Sequence, residues 1–125
     1  MFIPVRVLVT GGRDYSDKEF LFHVLDRWKE ERGIVCIIEG GATGADTLAG
    51  LWARENGIEL HTVPAEWSLG KRAGMLRNMK MLVEYNPDVV IAFPGGNGTA
   101  NMIALAYKHN VPVIHPVGAG ITPPV

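Results

Sequence analysis

With 125 residues, 47% of them hydrophobic and 20% charged, the chain has the make-up of one ordinary globular domain and falls short of two. Its formal net charge of −1 gives no overall pull toward nucleic acid or an anionic membrane. The lone cysteine, Cys36, excludes an internal disulfide framework, and no segment approaches the roughly 18–20 apolar residues that span a bilayer. The stretch Met1 to Arg6 has no charged region followed by a long apolar run, so the expectation is an unprocessed cytoplasmic protein with no membrane partner. In such a compartment the glycosylation sequon Asn97-Gly98-Thr99 is chemically idle.

The pattern then alternates between strand and helix. Val5–Thr10 is an apolar run stopped by Gly11-Gly12, and reads as a buried strand. Ser16 with Glu19 has the spacing of a capping box, after which Leu21, Val24, Leu25 and Trp28 share one helical face and Gly33 closes the helix. Ile34–Ile38 is a second strand, which makes Cys36 a core thiol, and it runs into Glu39-Gly40-Gly41-Ala42-Thr43-Gly44-Ala45-Asp46. A helix with Leu48, Leu51 and Trp52 inward follows and stops at Asn56-Gly57. Ile58–Val63 alternates as a third strand before Pro64. Gly70-Lys71-Arg72 opens a longer helix with an apolar stripe of Met75, Met79, Leu82 and Val83. Val89–Phe93 is a fourth strand, a fourth helix follows Thr99, and Val111–His115 is a fifth strand. Residues 1–116 form the domain, and the Gly- and Pro-rich residues 117–125 read as an irregular tail.

Such alternation implies an α/β fold: a five-stranded parallel sheet with helices on both faces. Ligands of these sheets bind beyond the carboxyl ends of the strands. Every glycine-rich or polar cluster here follows a strand: Gly11-Gly12-Arg13-Asp14, Gly40–Asp46, Glu66-Trp67 and Pro94-Gly95-Gly96-Asn97-Gly98-Thr99. All four therefore open on one rim. In the last of them, three glycines uncover backbone N–H groups at the start of a helix, which suits a phosphate or another anion.

Two common nucleotide motifs are absent. After Val9-Thr10-Gly11-Gly12, Tyr15 and Asp17 stand where a dinucleotide fingerprint needs small residues, and Gly40–Asp46 lacks the Lys-Ser/Thr ending of a P-loop. Arg77 is either a solvated surface residue or a clamp on phosphate or carboxylate, and Arg13 has the same two readings. Asp46 is either a helix N-cap or a site carboxylate, and Asp14 either orders its turn or serves the site. Glu66 directly follows a strand, and its neighbour Trp67 stacks a base, packs into the core or anchors a loop. His23, His61, His109 and His115 show no ligand spacing, so neither a metal nor a cofactor is assigned.

Taken together, Gly11-Gly12-Arg13, Gly41-Ala42-Thr43-Gly44-Ala45-Asp46, Trp67, Gly70-Lys71-Arg72-Ala73-Gly74, Arg77-Asn78 and Pro94–Thr99 resemble the SLOG superfamily. This Rossmann-like group joins DNA-processing protein A to the lonely-guy phosphoribohydrolases, and the chain is most similar to its small YspA-type branch. The resemblance implies a single Rossmann-like domain. Arg77 and Met81 match the Arg-x-x-x-Met helix of the enzymatic relatives, which hydrolyse the N-glycosidic bond of nucleoside 5′-monophosphates. Their catalytic glutamate falls three residues after Gly-Thr, where this chain has Met102 preceded by Asn101. A thioether supplies no negative charge to an oxocarbenium-like transition state. Any such activity here needs a carboxylate from Asp14, Asp46 or Glu66.

The resulting expectation is a binder of a nucleotide or nucleotide-derived phosphorylated ligand. Gly11, Gly12, Gly40, Gly41, Ala42, Thr43, Gly44 and Pro94–Thr99 would form its loops, with Arg13, Lys71, Arg77, Asn78 and Trp67 around them. One alternative is an N-glycosidase with a relocated carboxylate, supported by Arg77. The other is a nucleic-acid-binding module using Lys71, Arg72, Arg77 and Lys80, which the balanced charge and missing aromatic stripe disfavour. The resemblance also implies a dimer or higher oligomer, with Met75–Val83 as one candidate interface.

Overall fold

In the computed structural model, which describes residues 3–117, five parallel strands stand in the order β3-β2-β1-β4-β5. The chain runs β1 (Val5–Thr10), α1 (Lys18–Glu31), β2 (Ile34–Glu39), α2 (Ala45–Glu55), β3 (Glu59–Thr62), a 3₁₀ stretch (Trp67–Arg72), α3 (Ala73–Tyr85), β4 (Val89–Ala92), α4 (Asn97–Lys108) and β5 (Val113–Ile114). This is the expected Rossmann-like α/β arrangement. The central strands are apolar on both faces because helices cover both. Val7, Val9, Ile37 and Ile91 pack with Leu21, Leu25, Trp28 and Trp52 of α1 and α2. Leu8, Cys36, Ile38 and Val90 pack with Met81, Leu82, Met102 and Ala106 of α3 and α4. No described helix is long and apolar enough to cross a membrane.

Several local expectations change. The cap of α1 is Asp17, whose Oδ1 accepts from the Phe20 amide at 3.2 Å, so the Ser16–Glu19 capping box does not form. Asp caps as well as Ser does, and Asp17 stands three residues before the amide it satisfies. Leu48 and Leu51 are half-buried while Ala45, Ala49 and Ala53 join Trp52 inside α2. The largest change is in α3. Met75, Met79 and Val83, expected as its core stripe, are exposed, and its buried residues are Ala73, Asn78, Met81 and Leu82. The helix is rotated because Asn78 finds polar partners inside: its Nδ2 donates to Asn101 Oδ1 at 2.9 Å and to the Gly98 carbonyl at 3.3 Å. That leaves Met75, Leu76, Met79 and Val83 uncovered on one side of the helix.

Helix α4 starts at Asn97 rather than after Thr99, since Gly96 takes the cap position. β3 loses Ile58 and Val63 from its expected ends. β5 shortens to two residues because the Val111 amide bonds back to the Ala106 carbonyl, closing α4 instead of extending the sheet. Of the tail expected from residue 117, residues 118–125 lie outside the described residues.

Candidate functional site

β1 and β4 lie side by side, yet the chain leaves β1 for α1 on one face and leaves β4 for α4 on the other. The loops must therefore diverge, and a cleft opens between them. Hydrogen bonds to backbone carbonyls hold its walls together. The Gly12 amide donates to the Pro94 carbonyl at 2.8 Å, the Ala45 amide to the Gly12 carbonyl at 3.2 Å, and Thr43 Oγ1 to the Arg13 carbonyl at 3.1 Å. Gly44 has φ +75° and lies so close to the Gly12 carbonyl that no side chain fits there. Three loops from three strands are thus fastened before any ligand arrives.

The cleft has a volume of about 1030 Å³. Of the residues expected at the site, Gly11, Gly12, Arg13, Asp14, Ala42, Asp46, Trp67, Lys71, Arg77, Asn78 and Pro94–Thr99 line it. Gly40, Gly41, Thr43 and Gly44 do not line it. Glu66 is exposed, begins the 3₁₀ stretch through a bond from the Leu69 amide, and does not line the cleft. At the floor, no side chain caps α4, so the amides of Asn97, Gly98 and Thr99 keep the unsatisfied donors of a helix start.

Arg77 is half-buried, which rules out the solvated reading. Its Nη1 donates to the Gly40 carbonyl at 2.5 Å and its Nε to Asn78 Oδ1 at 3.0 Å. Gly40 is required beneath it, since a Cβ there would stand 2.8 Å from Arg77 Cζ and 2.9 Å from Asp46 Oδ2. Burial lowers the Arg77 pKa, Asp46 and Glu39 counteract this, and Arg13 adds to it.

Asp46 is not the cap of α2. That position belongs to Gly44, and the buried Asp46 carboxylate turns back to accept from the Gly40 amide at 3.1 Å and the Ala42 amide at 3.2 Å, both through Oδ2. Burial pushes its pKa up to about 6, with Glu39 adding to the rise while the Ala42 and Gly40 bonds and Arg77 oppose it. At the mouth, the exposed Arg13 holds its guanidinium carbon 5.1 Å from the Trp67 ring centroid. Trp67 is 57% exposed, so it does not pack into the core.

Sequence reasoning missed Glu39. It is 3% exposed at the end of β2, accepting from the Gly41 amide at 2.5 Å and from Thr62 Oγ1 at 2.6 Å. Its signal was visible: a carboxylate closing an apolar strand directly before a double glycine. Tyr15, Asp17, Met75 and Asn101 also line the cleft. Asn101 and Met102 illustrate why helix phase matters. Asn101 faces the cleft, while Met102 is fully buried with Leu8, Ile38 and Val90.

Three comparisons place the chain among known proteins. It is 40% identical over 121 residues to the Gene 61 protein of Mycobacterium phage D29, covering 88% of this chain and 94% of that protein. The crystal structure of TM1055 superposes with a TM-score of 0.69 at 24% identity, covering 92% of this chain and 76% of that one. DNA processing protein A from Streptococcus pneumoniae superposes with a TM-score of 0.50 at 18% identity, covering 90% of this chain and 58% of that one. These two structures speak to the fold alone. The profile of the YspA, cpYpsA-related SLOG family matches residues 5–70, spanning the strands and loops that form the Gly11–Arg13 and Gly40–Asp46 walls of the cleft, and the chain belongs to that family.

Proposed function

We propose that this protein binds a nucleotide or nucleotide-derived phosphorylated ligand in the cleft at the carboxyl ends of its strands. The observation that carries this reading is the uncapped start of α4, where Gly95, Gly96, Asn97, Gly98 and Thr99 face a cleft of nucleotide size. The phosphate sits on those amides, with Lys71 and Arg13 nearby to offset its charge. Asp14 at the exposed rim accepts from ribose hydroxyls. The accessible face of Trp67, with Arg13 at the ring, offers a surface for the base.

A panel of nucleoside mono- and diphosphates, ADP-ribose derivatives and sugar phosphates, assayed by thermal shift, tests the reading. A ligand of the native state must raise the melting temperature. If none does at millimolar concentration, the reading fails.

One observation favours a second, catalytic reading: Asp46 lines the cleft, and its pKa of about 6 leaves a protonated fraction near neutral pH. A carboxyl poised this way can protonate the departing base while water adds to C1′, yielding free base and ribose 5-phosphate from a nucleoside 5′-monophosphate. Arg77 holds the loop whose amides bind this carboxyl. Base release that vanishes in Asp46→Asn while binding persists supports this route. Binding without release in the wild type leaves the protein a binder. The fold shared with DNA processing protein A adds nothing for nucleic acid, because the chain's charge is balanced.

A further inference from the structure

Away from the cleft, the pairing of β2 with β3 creates a cluster that cannot be read along the chain. Cys36 stands directly opposite Glu59 in the parallel register, and His61, two residues further along β3, projects from the same face as Glu59. Their donor atoms, one sulfur, one carboxylate oxygen and one ring nitrogen, all lie within 4.8 Å of one another. We propose that Cys36, Glu59 and His61 form a binding site for a borderline-soft divalent transition metal, Zn²⁺ by preference, on the edge of the sheet.

The donor set argues for that class of ion. Thiolate and imidazole favour zinc and its neighbours, whereas magnesium and calcium take oxygen ligands. Donors around a tetrahedral zinc stand about 3.2–3.8 Å apart, given bonds of about 2.0–2.3 Å, so only small movements are required. Glu59 is exposed, and its Oε2 already lies 2.6 Å from His61 Nε2. The ion takes the place of that hydrogen bond, and the Cys36 thiol proton passes to solvent. The His61 ring also packs against the Tyr85 ring, at 5.4 Å between centroids. Three protein ligands leave the fourth position to water.

The position gives the site a task. β3 is an edge strand, only four residues long, and its own side chains are half-buried or exposed. Cys36, by contrast, lies in the core between the sheet and α3. An ion shared between them fastens a weak edge to a strong centre.

Titration of the reduced, full-length protein with Co²⁺ tests the proposal by absorbance. The expected result is one ion per chain with a thiolate-to-cobalt charge-transfer band, both reversed by Zn²⁺, and a melting temperature raised by Zn²⁺. Cys36→Ser removes the band. Because that residue is buried, Glu59→Gln and His61→Ala provide the fold-neutral checks, and each weakens binding on the order of tenfold or more. No uptake at micromolar concentration, uptake without the sulfur band, or affinity unchanged in both Glu59→Gln and His61→Ala overturns the proposal.

Discussion

Arg77 reaches across 37 residues of sequence to donate to the Gly40 carbonyl, joining the first turn and a half of α3 to the loop after β2. The same loop presents two amides to Asp46, and burial still outweighs these bonds and the mutual attraction of the two charges, raising the Asp46 pKa and lowering that of Arg77. The wall of the cleft is therefore held by a cation and an anion that do not bridge directly but share Gly40 between them.

Arg77→Ala removes a charge-assisted bond to a buried carbonyl and is expected to cost about 1–3 kcal/mol in urea unfolding. Arg77→Lys recovers little of this, because an ammonium cannot serve Gly40 and Asn78 from one planar fork. Full recovery by lysine would show that charge alone matters there.

Gly40→Ala is expected to act like Arg77→Ala through the other partner. Its methyl group would displace the guanidinium and press on Asp46 Oδ2, costing about 1–3 kcal/mol. The double variant should cost less than the sum of the two singles, since both break one contact.

Asp46 makes a pH signature with an unusual sign for an aspartate. Its folded pKa of about 6 lies above the model-compound value of 3.8, so between these values the folded chain holds a proton that the unfolded chain has released. Stability from this group is greatest below about pH 4 and falls as pH rises toward about 6, by about 3 kcal/mol in all. Asp46→Asn removes that slope. The stability of the wild type relative to Asp46→Asn should therefore decline between acidic and neutral pH, and a flat difference would contradict the burial argument.

Gly98→Ala separates ligand binding from folding. A Cβ at this position meets nothing within 4 Å, and alanine is favoured over glycine in a helix by up to about 1 kcal/mol. The variant should be as stable as the wild type or slightly more so. Its methyl group stands beside the α4 amides, so affinity for a phosphorylated ligand should fall by on the order of tenfold.

Much of this architecture was legible in the sequence because burial and turn chemistry agree along it. The run Val5–Thr10 followed by Gly11-Gly12, and Val89–Ala92 followed by Pro94–Thr99, leave little choice but buried strands ending in open loops. Helix phase was less legible. In α3 the methionines suggested a core face, yet Asn78 goes inside because Asn101 and Gly98, 20 or more residues away, satisfy it. The same long-range dependence hid Glu39, whose burial makes sense only once Thr62 and the Gly41 amide are in place. The Cys36–Glu59–His61 cluster was invisible for the same reason, since strand register assembles it.

The central claim is that a phosphorylated nucleotide-like ligand rests on the start of α4. Backbone amide NMR of the ¹⁵N-labelled protein, titrated with the best ligand from the thermal-shift panel, tests it most directly. The account predicts large saturable shifts at Gly95, Gly96, Asn97, Gly98 and Thr99, accompanied by Gly12, Arg13 and the Trp67 indole, and much reduced in Gly98→Ala. Saturable shifts confined to other surfaces, or none at these amides at saturating ligand, would contradict it.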